Sequence, residues 1–358
     1  MMGKFKVGLV GIGRGTSYGH IFSNNPKTEV TALCDINEDS LEVSGKDFNL
    51  KDKQLFTNYD QFINADFDIV IIGSPIPDHA AQVVKALNND KHVLCEVTAA
   101  NTLKDCERIA ETVKKSKKQY MLAENCNYMH FVTEWKDIVQ KGKLGKILYA
   151  EAEYAHEIRE RVLDSTSNEK KWRAERAPIH YCSHSLGPIL YLMDDYIIKA
   201  TCVGKDVNII PNVGVGAIDF QVALFQTSKG ATIKVLRSSV LSLKPPLCHY
   251  QLFGTKGFIE NGYDGYDNVG RSYFEGEDEK SKELVCASSN PNATEKEKLG
   301  GHGSSEYYLV NDFVYAIENN TKPPIDIVRA MDITVPGIIA HEAAMKGNVW
   351  LDVPRIGV

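Results

Sequence analysis

Ten residues near the amino end, Val7-Gly-Leu-Val-Gly-Ile-Gly-Arg-Gly-Thr16, limit what this chain can become. An apolar run, Phe5 to Val10, stops at Gly11, and a helical pattern begins directly after it. A glycine at that point permits the tight turn from strand to helix. A second, Gly13, lets the backbone come close to the anionic group that a helix N-terminus attracts. The third position of this fingerprint is Thr16, where Gly or Ala is usual, and Gly15 stands beside it. Asp35 closes the second apolar run, 24 residues after Gly11. A carboxylate there bonds the adenosine ribose hydroxyls and repels a 2′-phosphate. The expected ligand is therefore a dinucleotide, NAD rather than NADP. Arg14 argues the other way, because an arginine beside the loop accepts phosphate.

The remaining pattern extends this reading. Apolar runs at Thr28–Cys34, Phe67–Ile72, Val93–Cys95 and Gln119–Leu122 alternate with helical stretches such as Asp78–Asn88 and Leu103–Lys115. Strands separated by helices imply a parallel sheet covered on both faces. After about residue 125 the pattern changes. A helix at Phe131–Lys141 precedes alternating runs at Ile147–Tyr154, Ala200–Val207, Val215–Gln226, Thr232–Ser238 and His249–Phe253. Alternation of this kind implies an antiparallel sheet with one covered face. Residues 261–299 are polar and read as surface hairpins and loops, and helices resume at Ser305–Glu318 and Ile327–Lys346. The expected fold is α/β: an N-terminal Rossmann domain over residues 1–125, then a C-terminal α+β domain, 126–358, on a mostly antiparallel open sheet. The last helices are expected to pack back toward the Rossmann domain.

Composition excludes several classes. The net charge is −6 and no long basic run occurs, so no nucleic-acid surface is expected. No apolar stretch reaches the length that spans a bilayer. The eight cysteines are scattered and form no CxxC pair, which fits reduced thiols in the cytoplasm. The opening MMGKFKVGLVGIG is too short and too broken by glycine to serve as a signal peptide.

Through the loop, Asp35, Gly73-Ser74-Pro75, His79 and Glu96, the chain resembles the Gfo/Idh/MocA oxidoreductases along nearly its whole length. The resemblance implies that Gly11, Gly13, Arg14, Asp35, Ser74, Pro75, His79 and Glu96 lie along the cofactor. The segment KHVLCEVTAA, Lys91–Ala100, is similar to the family's Glu-Lys-Pro region, with Glu96 kept and Val97 and Thr98 in place of Lys and Pro. The family's lysine helps to deprotonate an alcohol as hydride leaves, so its absence speaks against a plain dehydrogenase route. A narrower resemblance fits that departure. MLAENCNY (Met121–Tyr128), EYAHEIR (Glu153–Arg159), YCSHSLGP (Tyr181–Pro188) and GGHGSSEYY (Gly300–Tyr308) are similar to the NAD-dependent α-N-acetylgalactosaminidase branch.

In that branch a sugar's carbon-3 hydroxyl is oxidised with NAD, the ketone acidifies the carbon-2 proton, and a base removes it. The glycosidic oxygen leaves, water adds, and the ketone is reduced again. The resemblance assigns Tyr154 as the carbon-2 base, with His156 on the same strand face. It assigns Tyr181 and His184 to the 3-hydroxyl, and Glu124 to a substrate hydroxyl or to ordering the nicotinamide. His180 is implied beside the substrate. Trp172 suits either stacking on a sugar ring or packing. His302 suits either closing over substrate or capping a helix. Each of these residues also has an ordinary structural role open to it. His180 and His184 mimic a metal pair at i and i+4, but no third ligand has metal-like spacing, so no metal is expected. The expected partner is a sugar or glycoside. The expected assembly is a homodimer or homotetramer. Two other functions stay open: a simple sugar or inositol dehydrogenase releasing NADH, and a non-catalytic sugar or nucleotide sensor.

Overall fold

The computed structural model describes residues 3–162, 171–205 and 219–358. It divides into two compact units: residues 1–128, 289–331 and 356–358, and residues 129–288 and 332–355.

The first unit opens with β1 (Phe5–Val10), α1 (Ile12–Asn24), β2 (Thr28–Cys34), α2 (Glu38–Asp47), β3 (Leu55–Phe56) and α3 (Tyr59–Phe62). It continues with β4 (Ile69–Ile72), α4 (Ile76–Asn88), β5 (His92–Cys95), α5 (Leu103–Lys115) and β6 (Tyr120–Leu122). The six strands lie in the order β3-β2-β1-β4-β5-β6, every pairing parallel. Helices over both faces bury the inner strands, which is why β4 is the unbroken run Ile-Val-Ile-Ile with every residue buried. The reversal of strand order lies between β1 and β4, at whose carboxyl ends Gly11 and Gly73-Ser74 stand. Ligands of open parallel sheets bind at such a switch point. The pattern reading missed β3, because two residues carry no periodic signal.

The second unit begins with α6 (His130–Gln140), β7 (Ile147–Ala155) and α7 (Ser183–Met193). Then come β8 (Ile197–Lys205), β9 (Phe220–Thr227), β10 (Thr232–Ser238), β11 (Leu247–Gly254), β12 (Gly257–Glu260), β13 (Asn268–Phe274) and β14 (Lys282–Cys286). The chain ends with α8 (Ser305–Asn319), α9 (Ile327–Met345) and β15 (Leu351–Asp352). The second sheet runs β14-β13-β12-β11-β7-β10-β9-β8-β15 and is antiparallel except for β7 with β10. The expected strand ends at 206–207 and 215–218 lie outside the described residues. The polar segment read as hairpins and loops contains β13 and β14, paired as an antiparallel hairpin. Helix α8 belongs to the first unit, where it packs on α1.

On β7 the residues Ala150, Ala152 and Tyr154 are buried on one face, as are Ile233, Val235 and Arg237 on β10. The parallel register sets Arg237 beside Tyr154. An arginine in the inward column of an apolar strand is the feature on which the site below turns.

Candidate functional site

In the first unit the nucleotide loop is built around Gly11. Its φ is +76°, a left-handed conformation, and its amide donates to the Cys34 carbonyl. A Cβ there would lie 2.2 Å from the Ser74 backbone nitrogen, so only glycine fits between the ends of β1 and β4. Gly13 is different: nothing lies within 4 Å of where its Cβ would be. Gly11, at the N-cap of α1, has no side chain to cap the helix. The Ile12 amide donates to Asp35 Oδ2 at 2.8 Å, and the Arg14 and Gly15 amides donate to the Gly11 carbonyl. The Gly13 amide takes part in none of these bonds, and the space beside its Cα is open. That is the cradle a pyrophosphate needs. Asp35 also accepts from the Asn37 amide at 3.0 Å, which leaves its carboxylate oriented and with lone pairs to spare. The residues present fit NAD.

Arg14 does not face outward as a free cation. Its Nε donates to Glu96 at 2.7 Å and its Nη2 to Glu306, while its guanidinium lies 5.0 Å from the Tyr18 ring centroid. Burial raises the cost of the charge at Glu306, but the hydrogen bond from His302 and the Arg14 charge outweigh it and hold the carboxyl down to about 2. His302 Nδ1 lies 2.8 Å from Glu306 Oε1, and its amide donates to Glu306 Oε2. His302 thus joins an ionic cluster of Arg14, Glu96 and Glu306 within this unit.

His79 is fully buried, with Nδ1 2.8 Å from the Thr98 carbonyl and Nε2 2.9 Å from the Ser74 carbonyl. It stitches the end of β4 to the segment carrying Val97 and Thr98, whose shared peptide is cis. Ser74 donates to Gln82, and Pro75 caps α4. Glu124 is fully buried and accepts from the Cys126 amide at 3.1 Å.

The second unit gathers four of the expected groups into two tyrosine–histidine pairs. Tyr154 Oη lies 3.2 Å from His156 Nδ1, and Tyr181 Oη lies 3.2 Å from His184 Nε2. The Tyr154 and His184 rings meet edge to face, 5.4 Å between centroids, so the pairs form one cluster. Tyr154 comes from the end of β7. Tyr181 ends a 3-10 turn, Pro178–Tyr181, and His184 lies in the first turn of α7, so the two sit on adjoining elements rather than on one helix face. Tyr250 donates its hydroxyl to the His184 carbonyl and fixes that turn from below.

The electrostatics divide the labour. Burial pushes the Tyr154 phenol well above its usual range, Tyr266 adds to the rise, and the Arg237 charge pulls against it. Burial draws His156 down to about 4, with Arg237 and Arg161 adding. At neutral pH the cluster therefore holds a protonated Tyr154 phenol against a neutral His156 imidazole.

His180 is not in this cluster. Its ring meets His341 edge to face at 4.9 Å, and burial, with His341 and Arg176 adding, draws it down to about 3. Trp172 is half-buried under two guanidinium groups, Arg173 at 4.3 Å and Arg176 at 5.4 Å from its ring centroid. Sequence reasoning missed the arginines. Arg237 lies 4.6 Å from the Tyr154 centroid and 5.5 Å from that of Tyr181, and Arg176 lies 4.3 Å from Tyr181. The alternation Ile233, Val235, Arg237 was the available signal, since it puts a guanidinium where the period demands an apolar side chain.

Comparison with known proteins agrees with this architecture. Residues 5–124 match the oxidoreductase family with an NAD-binding Rossmann fold, and residues 132–260 match the Gfo/Idh/MocA C-terminal domain. A glycosyl hydrolase family 109 protein of Solibacter usitatus is 26% identical, over 97% of this chain and 86% of its own length. An alpha-N-acetylgalactosaminidase of Shewanella oneidensis is 24% identical, over 94% and 82%. Among solved structures, levoglucosan dehydrogenase in complex with NADH and L-sorbose superposes with a TM-score of 0.85 at 17% identity, covering 99% of this chain and all of that one. The myo-inositol 2-dehydrogenase of Lactobacillus plantarum gives 0.78 at 17%, over 98% and 100%. No described helix is long and apolar enough to cross a membrane. With both of its domains matched, the chain belongs to the Gfo/Idh/MocA family and is an NAD-dependent oxidoreductase.

Proposed function

We propose that the chain processes a glycoside by transient oxidation and elimination, using NAD that ends each turnover as it began. NAD, when bound, takes up and later returns the electron pair of the carbon-3 C–H bond. Gly13 and the start of α1 would hold its pyrophosphate, and Asp35 its adenosine ribose. Tyr181 and His184 bind the 3-hydroxyl and move its proton. Tyr154 removes the carbon-2 proton, and His156 receives the phenol's own proton as it does so. Water then adds where the aglycone left.

The carrying observation is the pair of tyrosine–histidine contacts at 3.2 Å in the second unit. The likeness to glycosyl hydrolase family 109 proteins supports the same reading. The test is to incubate the NAD-loaded protein with a panel of nitrophenyl glycosides in deuterated water. Release of nitrophenol with deuterium at carbon 2 of the freed sugar, and no net rise in NADH absorbance, is expected. One NADH formed per sugar with no aglycone released would make the chain a simple dehydrogenase.

We propose further that the chain prefers NAD to NADP. Asp35 presents a fixed carboxylate, and Arg14 is spent on Glu96 and Glu306. Asp35→Ala is expected to weaken NAD by roughly tenfold or more, the worth of a charged hydrogen bond. The same change should narrow the NAD–NADP gap, read by titrating both cofactors. An unchanged ratio would show that another residue selects. Exposed apolar side chains on the second sheet, Val203, Leu224, Phe253, Val269 and Val285, support a homodimer or homotetramer.

A further inference from the structure

Beside the tyrosine–histidine cluster lie two arginines that the proposed proton transfers do not use. Arg176 is 7% exposed and Arg237 2% exposed. Among the described residues neither has a carboxylate within ion-pair distance, and both Nε atoms are buried without a hydrogen-bond partner. Burial is the largest influence on both; next come Arg237, Tyr181, Arg173 and Tyr154 for Arg176, and Tyr154, Tyr181, Tyr266 and Cys182 for Arg237. None of these leading influences is a carboxylate. Arg237 donates from Nη1 to the Tyr154 and Ser238 carbonyls, which are neutral acceptors. The Tyr154 phenol supplies no negative charge either, since burial keeps it protonated. Burial draws Arg176 down to about 9, with Arg237 adding, which reflects how poorly its charge is compensated.

A guanidinium stays protonated in proteins, so this is positive charge held out of water with no carboxylate counter-ion among the described residues. Such charge is costly and persists when something that binds there neutralises it. The geometry limits what that is. Each guanidinium lies over aromatic rings: Arg176 over Trp172 and Tyr181, Arg237 over Tyr154 and Tyr181. The N–H edge of a guanidinium matches a planar carboxylate through two parallel hydrogen bonds.

We propose that the sugar this chain acts on carries a carboxylate, bound by Arg176 and Arg237: a hexuronic acid unit or a glycoside built on one. This rests on the reading that Tyr154, Tyr181 and His184 act on a sugar, and it adds the chemical class of that sugar. The arginines are binding residues for the carboxylate and take no part in the proton transfers.

The test measures binding alone, on the NAD-loaded full chain by calorimetry. Galacturonate is compared with galactose, glucuronate with glucose, and galactose 6-phosphate is the third arm. The better uronate is expected to bind at least about tenfold tighter than its neutral counterpart. Raised salt should shrink that gap. Arg176→Gln should abolish it while leaving the melting temperature of the ligand-free protein equal or higher, because an uncompensated charge is gone. Arg176→Lys keeps the charge without the fork and should retain part of the gap. Neutral sugars binding as well as the uronates, no uronate binding at millimolar concentration, or the phosphate winning would each overturn the proposal, as would an undiminished uronate preference in Arg176→Gln. A protein that prefers uronates yet never exchanges the carbon-2 proton would refute the elimination chemistry and leave this inference standing.

Discussion

Tyr154→Phe is expected to cut deuterium exchange at carbon 2 of the substrate by about a hundredfold or more, the usual worth of a positioned general base. NAD affinity should stay as it was. The reasoning is local. The phenylalanine keeps the ring beside Arg237 and the fill of the β7 face, and removes one hydroxyl. That hydroxyl touches His156 and Tyr266, so the stability loss should be about 1 kcal/mol, the worth of a neutral hydrogen bond. A melting curve close to wild type separates a chemical loss from a folding one. Because burial holds the phenol protonated, exchange should also depend on the neutral imidazole of His156, and His156→Phe should slow the same step without touching the cofactor. Exchange that survives Tyr154→Phe would place the carbon-2 base elsewhere, and the pairing with His156 would then serve packing.

How much of this was legible in the residues follows from periodicity. The parallel sheet was readable because inner strands such as β4 are unbroken apolar runs, and the turn at Gly11 ends such a run. Tyr154 and His156 were readable as neighbours because they stand two apart at a strand end. Arg237 was missed because its partner in space, Tyr154, is far off in sequence and adjacent only through the β7–β10 register. Arg14 had two opposite readings in the sequence. Its partners Glu96 and Glu306 come from distant segments, and no local pattern announces an ion pair between them. His180 and His184 looked alike at four-residue spacing. The change from a 3-10 turn to α7 between them sends one to His341 and the other to Tyr181.

The two loop glycines make the sharpest contrast. Gly11→Ala should unfold the first unit's loop, because the new methyl meets the Ser74 and Gly73 backbone at 2.2–2.5 Å and the left-handed φ adds its own penalty. Backbone cannot rotate aside as a side chain can. Left-handed strain costs about 1–2 kcal/mol by itself. With the clash added, a loss of about 3 kcal/mol or more is expected, roughly 6–12 °C in melting temperature for a domain of this size. Gly13→Ala should do the reverse. Its methyl enters open space at a helical position, where alanine is favoured over glycine by up to about 1 kcal/mol, so the ligand-free protein should melt at or slightly above the wild-type temperature. NAD affinity should nonetheless fall, because that methyl occupies the space through which a diphosphate reaches the helix amides. Stability and cofactor binding thus move in opposite directions at one of two glycines only two residues apart. If Gly13→Ala bound NAD as tightly as wild type, the loop would be a tight βα turn and nothing more.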